Sequence, residues 1–191
     1  MNESDDIIID EPIPENNQEY TYELKIPKDR IAVLIGKKGE IKKSLEEDSK
    51  ARIEIDSKEG EVRLIGKNSI DLFSLKEVIK AISRGFNPDV ANLLLRQDYS
   101  LELINLNEFN EHKSHHERLK GRVIGRKGKS RALIEQMTQC YISVYGKTVA
   151  ILGPIDKVPI AKKAVESLLM GSMHASVFKW LEKQQRMNFS E

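Results

Sequence analysis

The sequence has little cysteine and no long hydrophobic run, and both shortages exclude classes of protein. Cys140 is the only cysteine among 191 residues, so no intrachain disulfide can form and a reducing compartment is indicated. No apolar stretch approaches the ~20 residues that a membrane-spanning helix needs. The first residues are acidic and include prolines, unlike the basic start of a secretory signal. We therefore expect a soluble cytoplasmic protein without a membrane partner.

The sequence also lacks the residue patterns of common active sites. Gly-Lys-Ser at 128–130 resembles the end of an NTPase phosphate-binding loop, but Val123 stands where that loop needs its first glycine. No pair of carboxylates stands out for acid–base chemistry. His112, His115 and His116 could bind a metal on one helix face, although a solvated helix start is the simpler interpretation. We therefore expect no catalysis, no cofactor and no bound metal.

Positive charge is concentrated in the second half of the chain, although the whole chain has a net charge of only +1. Residues 20–111 contain sixteen Lys and Arg against seventeen Asp and Glu, whereas residues 112–191 contain fifteen against six. Seven basic residues fall between Arg118 and Arg131, with no acid among them. A field of this sign attracts polyanions such as nucleic acids.

The first nineteen residues have the opposite character. They contain seven acids and no Lys or Arg. Asparagine, glutamate, Pro12 and Pro14 disfavour regular structure, so we predict an acidic disordered tail over 1–19. The apolar triplet at 7–9 is the exception, because it could dock on a sheet edge or on a partner.

A repeat organises the remainder of the chain. The segment IGKKGEIKKSLEEDSKARIEI (35–55) matches IGRKGKSRALIEQMTQCYISV (124–144) at a constant offset of 89 positions. Two homologous domains are therefore predicted. The first covers 20–97 and ends in a linking helix, and the second covers 98–191 and ends in a C-terminal helix.

Hydrophobic periodicity indicates the order β-α-α-β-β-α in each copy, and hence an α+β fold. Strands alternate with period two, and helices have apolar residues three or four positions apart. The predicted strands are 20–26, 51–55 and 61–65 in the first copy and 100–106, 141–145 and 148–152 in the second. The predicted helices are 28–35, 40–48 and 69–84, the linking helix 87–96, and then 114–124, 130–139 and 157–170.

This order, with Ile-Gly-x-x-Gly between the first two helices, resembles the type I KH domain, and it occurs twice. The resemblance implies two tandem domains, each a three-stranded antiparallel sheet packed against three helices. It also implies a loop that clamps four backbone nucleotides of single-stranded RNA or DNA. Glycines let a phosphate chain approach the backbone closely, and the helix that follows offers N–H groups to an anion.

The RNA-binding residues that this resemblance and the local chemistry predict are the loops, the basic residues around them, and apolar residues that would floor a groove for bases. We expect the second copy to bind more strongly, because Glu40 directly follows the first loop. The predicted residues are Arg122, Ile124, Gly125, Arg126, Lys127, Gly128, Lys129, Arg131, Ile142 and Val144 in the second copy, and Ile35, Gly36, Lys37, Lys38, Gly39, Ile53 and Ile55 in the first.

Nearly the whole folded chain resembles the archaeal KH-domain assembly factors of the small ribosomal subunit, which are related to the eukaryotic partner of Nob. Segments at 85–106, 119–135 and 168–186 carry the resemblance. It implies binding near the 3′ end of the small-subunit rRNA precursor, where a PIN-domain endonuclease makes the final cleavage. Other assembly or translation factors are further candidate partners. Eukaryotic relatives tend to have a degenerate first loop, whereas Gly-Lys-Lys-Gly is intact here.

Two alternatives stay open at this point. The chain could be a general KH regulator of messenger stability or translation, or a protein-docking scaffold whose loops bind no RNA. The three hypotheses differ in the dominant RNA target that they predict.

Overall fold

The chain forms two compact units that divide between Gln97 and Asp98 in a computed structural model, which describes residues 13–15, 19–110 and 112–188. Each unit is an antiparallel sheet with helices packed against it. The predicted α+β class is confirmed, as is the order β-α-α-β-β-α in each copy. No helix in the described part of the chain is long and apolar enough to cross a membrane.

The first unit is built on a sheet with strand order β1-β2-β4-β3. Tyr22 and Leu24 of β2 are buried while Glu23 between them is exposed, which is the alternation expected of a strand with one solvated face. Its elements are β1 (Ile13–Glu15), β2 (Glu19–Lys25), α1 (Lys28–Ile35), α2 (Glu40–Ser49), β3 (Arg52–Asp56), β4 (Glu61–Gly66), α3 (Ser69–Ser83) and α4 (Pro88–Ala91).

The second unit repeats this plan with strand order β5-β7-β6. A further helix, α8, adds Val177 and Leu181 to the core and packs Phe178 and Trp180 against it. The elements are β5 (Tyr99–Asn105), α5 (Lys113–Ile124), α6 (Lys129–Thr138), β6 (Tyr141–Tyr145), β7 (Thr148–Pro154), α7 (Val158–Leu169) and α8 (His174–Asn188).

The structure differs from the predicted disordered tail at one segment. Ile13–Glu15 forms β1, which pairs antiparallel with β2 and places Ile13 opposite Thr21. An edge strand exposes unpaired backbone N–H and C=O groups, and β1 satisfies some of those of β2. The rest of the predicted tail before Glu19, including the apolar triplet at 7–9, lies outside the described residues.

The linking helix is shorter than predicted. Asn87 accepts a hydrogen bond from the Asp89 N–H at 3.3 Å and starts α4, which ends after one turn at Ala91. A tighter 3₁₀ turn, Asn92–Leu95, follows. One helical turn gains few backbone hydrogen bonds, so the burial of Ala91 and Leu94 decides the path of the chain here.

Candidate nucleic-acid interface

The first glycine of each Gly-x-x-Gly loop has a backbone conformation that other residues avoid. Gly36 has φ 73° and ψ 178°, and Gly125 has φ 71° and ψ 177°. A Cβ atom on Gly36 would also lie 2.9 Å from the backbone nitrogen of Ile41, and one on Gly125 would lie 2.9 Å from that of Ser130. Glycine is therefore required twice over, by its dihedral angles and by the close approach of the following helix.

The second glycine and the lysine before it form a tight left-handed turn. Gly39 and Gly128 have φ of 79° and 77°, and Lys38 and Lys127 both have φ of 55°. The N–H of Gly39 donates to the carbonyl of the first glycine at 3.3 Å, and that of Gly128 does the same at 3.2 Å. A Cβ atom on either residue would meet nothing within 4 Å. Each loop therefore projects from the unit with its two basic side chains exposed.

A helix begins directly after each loop. Gly39 and Gly128 are the N-caps of α2 and α6, and no described side chain caps either helix start. The first N–H groups of both helices can therefore bind an anion. The first residue of the helix is Glu40 in α2 and Lys129 in α6. The carboxylate of Glu40 offsets the positive end of its helix dipole, whereas Lys129 adds charge to it.

The apolar residues predicted to floor the groove separate into two sets. Ile53 and Ile142 are 0 % and 4 % exposed and belong to the core, so the prediction that they contact bases is corrected. Each is the second residue of its strand, and its side chain supports the floor from below. The other four residues of the predicted floor are half-buried, and their surfaces remain accessible to a base: Ile35, Ile55, Ile124 and Val144.

A hydrogen bond from each edge strand to a helix fixes the groove. The backbone N–H of Ile53 donates to Glu46 Oε1 at 2.8 Å, and that of Ile142 donates to Glu135 Oε1 at 2.8 Å. Both glutamates lie seven residues before their donors, at matched positions of the repeat. The bond ties β3 to α2 and β6 to α6, so the helix and the strand that border the groove are held together.

Arg122 is held within its own unit by hydrogen bonds to backbone carbonyls, and its contact with RNA stays a prediction. Its Nε donates to the carbonyl of Leu168 at 2.7 Å, and its Nη2 donates to that of Ser172 at 2.6 Å. These bonds satisfy carbonyls at the end of α7. Arg30 makes the equivalent pair of bonds at the end of α3. The two arginines are not matched in the repeat, since they lie about one helical turn apart.

The remaining basic residues of the second loop are exposed. Among residues 13–15, 19–110 and 112–188, no carboxylate forms an ion pair with Arg126, Lys127 or Lys129. Arg131 lies with its Nε 3.7 Å from Glu135 Oε2 on the same helix. In the first loop Lys37 and Lys38 are likewise exposed. Both loops thus present cations to solvent, as predicted.

His116 and Cys140 are buried within the fold. His116 is buried, and its Nε2 lies 2.8 Å from the carbonyl oxygen of Asn110. The described residues contain no group of three or more His, Cys, Asp or Glu side chains placed to hold a metal. Burial raises the pKa of the Cys140 thiol to about 11, which disfavours the reactive thiolate.

Two residues beside the second loop were missed by sequence reasoning. The Nε2 of His174 lies 2.8 Å from the carbonyl oxygen of Arg122 and so connects α8 to α5. Ser130 is 5 % exposed and packs beneath Gly125. His174 has no distinguishing signal in the sequence, since its partner is a backbone atom. Ser130 has one, because the matched residue in the first copy is Ile41.

Comparisons with known proteins agree with this geometry. Residues 100–186 match the family described as eukaryotic type KH-domain (KH-domain type I), and residues 21–80 match the KH domain family. A KH domain-containing protein of Methanocaldococcus jannaschii is 46% identical over 167 residues, which are 85% of this chain and 73% of that protein. Pre-rRNA-processing protein PNO1 of Coccidioides immitis is 32% identical over 132 residues, 66% of this chain and 51% of that protein.

Two solved structures from Pyrococcus horikoshii OT3 are also similar. Dim2p superimposes with a TM-score of 0.80 at 45% identity, covering 85% of this chain and 98% of that one. A chain of the a/eIF2alpha-aDim2p-rRNA complex superimposes with a TM-score of 0.84 at 43% identity, covering 90% of this chain and 97% of that one. The predicted tandem type I KH fold is thereby confirmed. The chain belongs to the family of tandem KH-domain proteins that includes archaeal Dim2p and the eukaryotic pre-rRNA-processing protein PNO1.

Proposed function

We propose that the protein binds single-stranded small-subunit rRNA near the 3′ end of its precursor and assists rRNA processing during ribosome biogenesis. The observation that carries the proposal is the second loop, where the exposed cations Arg126, Lys127 and Lys129 stand beside a phosphate-accepting backbone and have no acidic partner in the described chain. The relatives named PNO1 are pre-rRNA-processing proteins, and aDim2p was crystallised in a complex with rRNA. Both names support the proposed substrate.

The geometry explains how a single strand is held. Phosphates lie along Gly125–Gly128, where backbone N–H groups and cations replace their counterions. Bases lie on the half-buried side chains of Ile124 and Val144, beside the edge of β6. Single-strand binding loses affinity with salt at a slope of about −0.7 per neutralised phosphate, so ~4 contacts correspond to a slope near −3. The first loop binds by the same contacts but more weakly.

The chain itself supplies binding rather than catalysis in this proposal. It holds the RNA so that a separate nuclease, an endonuclease with a PIN domain, can cleave it, and it needs no cofactor for that task. Other assembly or translation factors are further partners. The protein acts in the cytoplasm without a membrane partner.

Crosslinking the protein to RNA in cells, followed by sequencing of the bound fragments, tests the proposal. We expect fragments from the 3′ region of small-subunit rRNA precursor to dominate. The matched control is the variant Arg126→Asp with Lys127→Asp, which should lose these fragments. Dominant messenger fragments would instead indicate a general regulator of stability or translation. If wild type and control recover the same background RNA, the protein is a docking scaffold.

A further inference from the structure

An open depression of the surface, called the cavity below, lies beside the second loop, on the side of α5 and α6 that faces α8. Its volume is about 440 Å³. The edge strand β6 and the proposed floor residues Ile124 and Val144 contribute nothing to its lining, so the cavity adjoins the loop without including the surface on which bases are proposed to lie. The lining residues that matter are Arg118, Arg126, Lys129 and Ser130 from the loop and its flanking helices, and His174 and Phe178 from α8.

The buried hydroxyl group of Ser130 is the first observation that points to a ligand. Ser130 is 5 % exposed, and its hydroxyl oxygen has no hydrogen-bond partner within the described part of the chain. Buried hydroxyl groups nearly always have a partner, and a ligand atom at the cavity would supply the one that Ser130 lacks. Ser130 is the second residue of α6, where helix N–H groups are also without intrahelical partners. The cavity therefore combines a hydroxyl donor with the anion-binding end of a helix.

The charges around the cavity have one sign. Arg118, Arg126 and Lys129 are exposed at its rim, and no carboxylate among the described residues pairs with them. Arg122 also lines the cavity, but its guanidinium is occupied by the end of α7. Three cations with a hydroxyl and a helix start suit a tetrahedral oxyanion, which offers several acceptor atoms to several donors.

The first copy keeps the loop cation, Lys37 at the position of Arg126, but lacks the other polar groups of this site. At the offset of 89, Asp29, Glu40 and Ile41 replace Arg118, Lys129 and Ser130. Two cations thus become carboxylates, and the aliphatic side chain of Ile41 packs against the first glycine of the loop where Ser130 is small. The described segment after α3 is the short α4, so the first unit has no long helix there that could form a wall like α8.

We propose that this cavity binds one backbone phosphate of the RNA, outside the nucleotides held in the groove. The inference rests on the proposed function and extends it. Arg126 belongs both to the loop and to the cavity, so a strand that leaves the loop passes the cavity next. The second copy then holds a longer segment of RNA than a Gly-x-x-Gly loop alone, which clamps about four nucleotides.

The variant Ser130→Ile tests the proposal, because the first copy already holds isoleucine at the matched position beside a glycine of the same conformation. Arg118→Gln is the second test variant. Lys179→Gln, which removes one exposed charge from α8 outside the cavity, is the control. Binding of a tetranucleotide and of an RNA about three times as long is measured by anisotropy, with Lys37→Asp and Lys38→Asp present so that the second copy dominates.

We expect Ser130→Ile and Arg118→Gln to weaken binding of the longer RNA about fivefold and to reduce its salt slope by about 0.7, the value for one phosphate. Neither variant should change the affinity for the tetranucleotide, and Lys179→Gln should bind both RNAs as wild type does. In a parallel NMR titration, inorganic phosphate should shift the Ser130 amide of wild type and not that amide in Arg118→Gln.

Unchanged binding of the longer RNA by both variants would overturn the inference while leaving the proposed function intact. The inference is also overturned if inorganic phosphate shifts the Ser130 amide while both variants bind the longer RNA as tightly as wild type does. The cavity is then a site for free phosphate. If wild type binds neither RNA, the proposed function itself fails, and the inference fails with it.

Discussion

The two copies have nearly the same loop backbone but different surroundings. The Gly-x-x-Gly motif therefore determines the backbone conformation of the loop and does not determine the charge around it. Corresponding glycines differ by only a few degrees in φ, and the hydrogen bond that the edge strand donates to a glutamate has the same length in both copies. The residue after the loop, however, is Glu40 in one copy and Lys129 in the other. The repeat therefore preserves the geometry of the loop, and we expect the charge around it to set how strongly each loop attracts RNA.

The copies also differ in how they close the side of the helices away from the sheet. In the second copy α8 packs against α6, and His174 binds the end of α5. In the first copy Ile41 packs against the first glycine of the loop at the position of Ser130. In the second copy, α8 and Ser130 therefore line a cavity beside the loop, which is the basis of the further site proposed above.

The largest effect should come from reversing charge in the two loops separately. Replacing Arg126 and Lys127 by Asp turns two attractions into repulsions, so we expect at least about a 100-fold loss of single-stranded RNA affinity at low salt. The same change at Lys37 and Lys38 should cost less than about tenfold, because Glu40 already weakens that site. Anisotropy titrations measure both, and circular dichroism verifies the fold. A greater loss from the first loop would show that groove shape, rather than charge, ranks the copies.

The glycines within one loop should differ in their contribution to stability. Gly125→Ala places a Cβ against the backbone of Ser130 in a region that only glycine favours, so we expect a loss of about 2–3 kcal/mol in the free energy of unfolding. Gly128→Ala meets open space in an ordinary left-handed turn and should cost about 1 kcal/mol. Urea unfolding compares them, and equal losses would contradict the steric argument.

The packing beneath the sheets gives a smaller contrast between the copies. A Cβ on Gly153 would lie 2.6 Å from the sulfur of Cys140, whereas one on Gly66 would lie 3.1 Å from Cδ1 of Leu72 and 3.3 Å from the Cβ of Ala51. We expect Gly153→Ala to lower the free energy of unfolding by about 1–2 kcal/mol and Gly66→Ala by less than about 1. Adding Cys140→Ala should recover part of the loss at Gly153. Thermal unfolding measures these stabilities. If Cys140→Ala recovers none of the stability lost at Gly153, the strain does not come from the cysteine sulfur.

The smallest effect should come from the acidic start of the chain. Replacing Asp5, Asp6 and Asp10 by Asn raises the net charge of the protein, which should strengthen RNA binding about twofold at low salt. The change should vanish at high salt, where the Debye length falls to about 3 Å at 1 M. Titrations at two salt concentrations measure it. A change that persists at high salt would indicate a direct contact instead of a long-range field.

Much of the fold followed from local pattern. Alternation over β2 and β4, apolar spacing in α3 and the repeated Ile-Gly-x-x-Gly predicted the element order, since each depends on residues close in sequence. The length of the linking helix was overestimated. Apolar spacing indicates which face is buried, but it does not show that Pro88–Ala91 makes too few backbone hydrogen bonds for the helix to continue. β1 was not predicted, because its pairing with β2 is decided by an exposed strand edge rather than by its own composition.

By itself the sequence determined the loops: two glycines at fixed spacing, two cations between them and a helix after them set both the conformation and the charge of the phosphate site. Only the tertiary structure decided which neighbours share that site. It buried Ile142 in the core, and it directed Arg122 to the carbonyls at the end of α7. It also brought α8 beside Ser130 to form a cavity. These outcomes depend on contacts about fifty residues apart and on backbone carbonyls, which all residues carry and which no side-chain pattern can identify.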